Sequence, residues 1–321
     1  MRNILITGGS GNVGGSLARR LASNPDNYVV IVDSLLTGST DKLPPQHLKN
    51  WKFIKADVNY IHDITSIMTA FRFDYVFHYA AVVGVKRTLE NPKLVLNDID
   101  GIRNVLDLAK NTGVKRVFFS SSSEVYGEPV EIPQREDTTP LNSRLPYAIV
   151  KNVGEAFFKS YYQEYGLPYT IFRFFNTYGP LQSTDFVISK FINLALLGKD
   201  ITIYGDGSQT RTFCYVNDNL DTTEKILYND LAMNEVLNVG SDHEMTVLEL
   251  AQRIIQLLGS GSRIVHLPAL KEGDMTRRKP DNSRMRAILG RELVSLDEGV
   301  LLTADFIRNQ LNIPKETIAL A

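Results

Sequence analysis

Tyr147 and Lys151 are four residues apart in Tyr147-Ala148-Ile149-Val150-Lys151. On a helix that spacing puts both side chains on one face. A phenol ordinarily titrates near ~10. A nearby ammonium, or a positively charged ring bound beside it, lowers that value. The phenolate can then take a hydroxyl proton as hydride leaves the same carbon. Upstream lies Ser120-Ser121-Ser122-Ser123-Glu124-Val125-Tyr126-Gly127, directly after an apolar run. A hydroxyl at the carboxyl end of a parallel strand points into the ligand crevice, so Ser122 can share a substrate hydroxyl with Tyr147. Taken singly, these motifs read as a surface helix and a serine-rich turn. A third motif in the right order gives them weight.

That motif is Thr7-Gly8-Gly9-Ser10-Gly11-Asn12-Val13-Gly14-Gly15, between the first strand-like run and the first helix. Among Gly8, Gly11 and Gly14, one allows a sharp turn, one lets a pyrophosphate reach the backbone, and one lets helix and strand pack closely. The free N–H groups and positive dipole end of the helix then face the phosphates. Asp33 ends the second strand, where a carboxylate accepts both adenosine ribose hydroxyls and repels a 2′-phosphate. Ser34-Leu35-Leu36 follow, with no arginine. The expected cofactor is therefore NAD rather than NADP, and Lys151 can hold its nicotinamide ribose. Asp57-Val58, after the third strand, fall where an adenine edge would lie.

The elements that position these groups alternate. Strand-like runs are Ile4–Thr7, Tyr28–Val32, Trp51–Ala56, Tyr75–His78, Arg116–Ser120 and Tyr169–Phe174. Helical patterns follow Gly14, span Ile64–Phe71 and Tyr147–Tyr165, and run from Pro92 to about Lys110. Strands alternating with helices imply right-handed crossovers and a parallel sheet. Continuous apolar runs fit a sheet covered on both faces. The fold class is α/β, a Rossmann-type doubly wound parallel sheet with a smaller, irregular α/β substrate-binding lobe. Residues 1–177 form the NAD-binding domain, to which the chain returns at about 213–238. Residues 178–212 and 239–312 form the second lobe, with a fraying tail at 313–321.

Bulk properties narrow the function. The chain has 321 residues, 43% of them hydrophobic and 22% charged, as in an ordinary globular protein. A net charge of -1 provides no field for nucleic acid or an anionic membrane. Cys214 is the one cysteine, which excludes an internal disulfide and a cysteine-based metal site. No metal is expected. A reducing cytoplasm is the natural compartment, and no leader or membrane span is evident.

Together the motifs resemble the extended short-chain dehydrogenase/reductases, specifically the sugar-nucleotide epimerase/dehydratase/decarboxylase group. The likeness covers nearly the whole chain. It adds His78-Tyr79-Ala80-Ala81, Asn97, Arg173-Phe174-Phe175-Asn176-Thr177-Tyr178-Gly179-Pro180, Gly205-Asp206-Gly207-Ser208-Gln209-Thr210-Arg211 and Arg277-Arg278-Lys279-Pro280-Asp281. The resemblance implies that Gly8, Gly11, Asn12, Val13, Gly14, Asp33, Asp57, Val58, Ala80, Ala81 and Asn97 hold the cofactor, with Tyr147 and Lys151. It implies that Asn176, Arg211 and Arg278 surround a nucleotide sugar, a UDP-sugar favoured. Arginine suits that place as a forked, permanently charged phosphate donor.

The shared opening step is oxidation of the sugar at C4. Ser123-Glu124 then bears on the outcome. The 4,6-dehydratases of the group carry Asp-Glu here, so Ser123 lacks their acid. The UDP-glucuronate decarboxylases carry Ser-Glu, and an arginine matching Arg278 that meets the substrate carboxylate. Against this, Leu181 stands where that group usually has an arginine. Ala80-Ala81-Val82-Val83-Gly84-Val85-Lys86-Arg87 looks more like the 4-epimerases, with Lys86 or Arg87 as a carboxylate partner. Decarboxylase is placed first and UDP-sugar 4-epimerase second. A non-catalytic NAD(H) sensor is the reading from a different class, but Ser122, Tyr147 and Lys151 are all present. The resemblance also implies a homodimer, pairing the Pro92–Lys110 and Tyr147–Tyr165 helices into a four-helix bundle.

Overall fold

The computed structural model describes residues 1–268 and 278–313. Arg277 and the tail beyond Ile313 lie outside the described residues. Seven parallel strands form the central sheet. In chain order these are β1 (Arg2–Thr7), β2 (Asn27–Asp33), β3 (Trp51–Lys55), β4 (Tyr75–His78), β5 (Arg116–Ser122), β6 (Tyr169–Phe174) and a last strand, Glu235–Val239. Across the sheet the order is Glu235–Val239, β6, β5, β4, β1, β2, β3. The chain winds outward from β1 in one direction, then crosses to β4 and winds in the other. The switch point lies between β1 and β4, where a crevice opens at the strands' carboxyl ends.

The helices that matter here are α1 (Asn12–Ala22), α2 (Ile61–Phe71), α3 (Val85–Glu90), α4 (Pro92–Leu96), α5 (Asp98–Thr112) and α6 (Pro146–Tyr165). Successive strand residues feed opposite faces of the sheet. Phe118 packs with Phe77 and Phe172 on one face, and Phe119 with Phe158 and Ile171 on the other. The Phe77 and Phe118 rings stack at 4.3 Å and Phe119 meets Phe158 at 4.8 Å. Both faces are therefore dry, which is why the strands read as continuous apolar runs.

Two elements differ from the sequence reading. The helix expected from Pro92 to Lys110 divides at Asn97, where Asp100 N–H bonds the Asn97 carbonyl in a tightened turn. Strand β5 runs on to Ser122, because its register with β6 continues to Ser122↔Phe174. The second lobe contains the helices Val187–Leu196, Val247–Leu258, Ser283–Leu289 and Leu296–Gln310. Between them Ile201–Tyr204 pairs with Ile264–Leu267, and Thr210–Thr212 with Glu244–Thr246. The chain returns to the sheet through Cys214–Tyr215, the helix Val216–Tyr228 and the strand Glu235–Val239.

Candidate active site

A cleft of about 390 Å³ lies at the carboxyl ends of β1, β4, β5 and β6. The glycine loop forms its floor. Gly8 has φ +67°, and a side chain there would meet Ala80 N at 2.6 Å. A Cβ on Gly14 would lie 2.3 Å from the Gly8 carbonyl oxygen. The loop is thus bare by necessity, with Gly11 capping α1 and Asn12 and Val13 opening it toward the cleft. Asn12 Nδ2 also donates to the Thr177 carbonyl at 3.4 Å, tying this loop to the segment after β6.

Asp33 sits at the end of β2, its carboxylate held by Ser10 N–H at 2.9 Å and Leu35 N–H at 2.8 Å. Those two bonds fix its orientation at the cleft wall. Asp57, Val58, Ala80 and Ala81 also line the cleft, from the loops after β3 and β4. The bare glycine cradle, the helix end and the fixed carboxylate fit a dinucleotide. Asn97 does not join them. Its side chain is exposed and outside the cleft lining, whereas its neighbour Asp98 is buried and lines the cleft. Asp98 accepts Val82 N–H at 2.7 Å and Asn59 Nδ2 at 3.3 Å. The tightened turn at Asn97 is what presents the next residue instead.

Strand β5 and helix α6 bring the reactive groups together. Pro146 starts α6, leaving no N–H unsatisfied at its own position. Lys151 is buried, and its Nζ donates to Ser120 Oγ at 3.4 Å. Burial pushes Lys151 down to about 8, while the Asp98 carboxylate acts in the opposite direction. Tyr147 is pushed well above the ordinary phenol range. Burial is the main cause and the Glu124 carboxylate adds to it, while a Ser122 hydrogen bond and the Arg278 charge oppose them. The sequence reading has Lys151 lowering the phenol. In the structure the groups that oppose the burial of Tyr147 are Ser122 and Arg278. His78 is held neutral, at about 3, by burial and the Lys151 charge, with its Nδ1 2.9 Å from the Thr7 hydroxyl.

Ser122 Oγ accepts Glu124 N–H at 3.2 Å, which leaves its own hydrogen to donate. Ser123 is buried and Glu124 is largely so, and both line the cleft. Opposite stands Arg278, 7% exposed, with Nη1 3.6 Å from Glu124 Oε1. Asn176 lines the cleft with φ +35°, its Nδ2 donating to the Thr212 carbonyl at 2.9 Å. Arg87 lines it too, bonded to the Val83 carbonyl at 2.8 Å and 3.6 Å from Asp185. The side chain of Lys86 lies outside the described residues. Arg211 is buried in the strand Thr210–Thr212, paired against Met245, and is not part of the cleft wall. Leu181 is buried and lines a separate shallow groove with Val216, Leu220 and Phe306. Sequence reasoning missed Asp98, and it missed Glu155, which continues the Tyr147–Lys151 face one turn further.

Residues 4–240 match the NAD dependent epimerase/dehydratase family, and the chain belongs to that family. It is an NAD-dependent enzyme with a Rossmann-type α/β fold. UDP-glucuronic acid decarboxylase 6 of Arabidopsis thaliana is 34% identical, over 98% of this chain and 91% of its own. UDP-N-acetyl-alpha-D-glucosaminuronate decarboxylase of Bacillus cytotoxicus is 36% identical, over 96% and 98%. The crystal structure of UDP-glucose 4-epimerase from Thermotoga maritima, with UDP-glucose, superimposes with a TM-score of 0.90 at 32% identity, covering 96% of this chain and 99% of that one. Among the described residues no helix is long and apolar enough to cross a membrane.

Proposed function

We propose that this chain decarboxylates a UDP-activated uronic acid. The observation that carries the reading is the Glu124–Arg278 pair, 3.6 Å apart in the cleft beside Ser122 and Tyr147. An anionic sugar needs a desolvated cation at its carboxylate, and Arg278 is a buried one. Two relatives named as decarboxylases of UDP-uronic acids support the same reading. Leu181, where the decarboxylases of the group usually carry an arginine, lines the separate groove and counts toward the second reading below.

Bound NAD supplies the acceptor, and later the donor, of one hydride at C4. Tyr147 takes the C4 hydroxyl proton, with Ser122 holding the same oxygen and Lys151 the nicotinamide ribose. The resulting 4-ketone draws electrons from the neighbouring bond. The C5–C6 bond breaks, its electron pair passes to the ketone as an enolate, and carbon dioxide leaves. A proton drawn from water then adds at C5, where the carboxylate has left. Glu124 and Arg278 orient the carboxylate for that loss, with Arg87 and Asn176 at the rest of the ligand. Tyr147 returns its proton as the ketone is reduced.

In this reading residues 1–177 and 213–238 carry the cofactor, and residues 178–212 and 239–312 carry the nucleotide sugar. The assembly we propose is a homodimer through α4, α5 and α6, supported by the exposed Leu96, Ile149, Tyr162 and Tyr165. UDP-sugar 4-epimerisation is the second reading, favoured by the Ala80–Arg87 segment and by the similarity to the Thermotoga maritima structure. Glu124→Gln separates the two. It should lower carbon dioxide release by about 10²-fold or more while C4 oxidation, read as reduced nicotinamide absorbance, persists. Equal loss of both signals would remove Glu124 from the decarboxylation step.

A further inference from the structure

A chain of buried polar groups runs beneath the site and takes no part in the steps above. Glu155 lies on the Tyr147–Lys151 face of α6 and is 1% exposed. Its Oε1 accepts Ser121 Oγ at 2.6 Å and Arg173 Nε at 2.8 Å, and its Oε2 accepts Arg173 Nη2 at 2.7 Å. Arg173 Nη1 donates to the Tyr126 hydroxyl at 2.7 Å. That hydroxyl donates to Asn238 Oδ1 at 2.8 Å. Asn238 Nδ2 then donates to the Gln134 carbonyl at 2.9 Å and the Asp281 carbonyl at 3.3 Å. Gln134 is laddered to the same segment, through its N–H to Lys279 O and Asp281 N–H to its own carbonyl, both at 2.8 Å.

The two ends of this chain are informative. Tyr126 closes the short 3₁₀ turn Ser123–Tyr126 that carries Glu124. Lys279 and Asp281 lie directly after Arg278 on the same stretch of backbone. Glu124 and Arg278 come from segments far apart in sequence, yet both are referred to one buried frame. The 3.6 Å between their side chains is thus set from below rather than by their weak mutual contact. A buried hydrogen-bonded chain of this kind has few alternative arrangements.

We propose that Tyr126 and Asn238 are positioning residues that hold Glu124 and Arg278 in register for carboxylate loss, an assignment that rests on the decarboxylase reading. The test is Tyr126→Phe, with Asn238→Ser as a second variant. Each is assayed with NAD and UDP-glucuronate in single turnover for reduced nicotinamide and for carbon dioxide, and each is combined with Glu124→Gln. A small misplacement of reacting groups costs on the order of 10²-fold. Carbon dioxide release should therefore fall by about tenfold or more while C4 oxidation stays within about twofold, so the 4-keto intermediate and reduced nicotinamide accumulate. The loss should also vanish in the Glu124→Gln background, because the frame acts through Glu124.

A merely structural role would lower both steps together, in proportion to lost stability. That result, unchanged carbon dioxide release, or full additivity with Glu124→Gln overturns the assignment. A wild-type enzyme that reduces its nicotinamide yet releases no carbon dioxide overturns the decarboxylase reading itself, and the assignment with it.

Discussion

Gly14→Ala tests the cofactor cradle at a place where the structure gives the size of the insult. The added Cβ would lie 2.3 Å from Gly8 O, about 1 Å inside ordinary contact, and 3.1 Å from Gly9 Cα. Both neighbours are backbone, so no side chain can swing aside. Relief requires α1 to lift from β1 or the glycine loop to open, and both displace the N–H groups that face the pyrophosphate. Overpacking of this kind costs about 1–3 kcal/mol. If that cost falls on the bound form, NAD binds about 5-fold to 150-fold more weakly. Calorimetric titration of NAD into wild type and variant reads this directly. Gly113→Ala is the control. That glycine caps α5 at the opposite end of the sheet, at φ +77° with nothing within 4 Å of its Cβ. Its substitution should cost about 1 kcal/mol of stability from backbone strain alone and leave NAD affinity unchanged. If Gly14→Ala binds NAD as tightly as Gly113→Ala does, the cradle argument fails.

Further outcomes follow from the same geometry. Tyr147→Phe should bind NAD normally and lose about 10²-fold or more in turnover, because only the proton acceptor is removed; full activity would refute its role. Glu155→Leu strands the Arg173 guanidinium in a dry site and should destabilise the protein by about 3–5 kcal/mol, measured by urea unfolding. A change under about 1 kcal/mol would mean that the pair is not structurally needed. Lys151 provides a pH test in the cofactor-free protein. Its folded value, about 8, lies below the unfolded ~10.4, so the unfolded chain binds more protons between these limits. Wild type should therefore gain stability relative to Lys151→Met as pH rises from about 8 toward 10. A relative loss over that window would contradict the burial assigned to this ammonium.

Much of the site was legible in the sequence because its signals are local. Gly8, Gly11, Gly14 and Asp33 belong to one strand–turn–helix–strand unit. Tyr147 and Lys151 share a face through helical periodicity alone. What depends on contacts distant in sequence was not legible. The proximity of Glu124 to Arg278 arises because residues 278–281 ladder onto Gln134, a pairing with no local signature. The strand Thr210–Thr212, in which Arg211 is buried, exists only through its partner Glu244–Thr246. Asp98, one residue beyond the Asn97 named from the sequence, lines the cleft because the break between α4 and α5 is a change in turn tightness, invisible in residue type. Glu155 had a usable signal, an acid eight residues after Tyr147 on the same face. Its arginine partner sits on β6, reached only once the sheet order is known. The second lobe was the least readable, since its strands are short and pair across long separations.

Carbon dioxide loss from a UDP-uronic acid is the reaction we propose for this chain. Purified enzyme with NAD and UDP-glucuronate should convert the substrate to a UDP-pentose, with loss of the mass of carbon dioxide and a matching proton NMR spectrum. A product of unchanged mass with inverted C4 stereochemistry would contradict the decarboxylase and establish the 4-epimerase in its place.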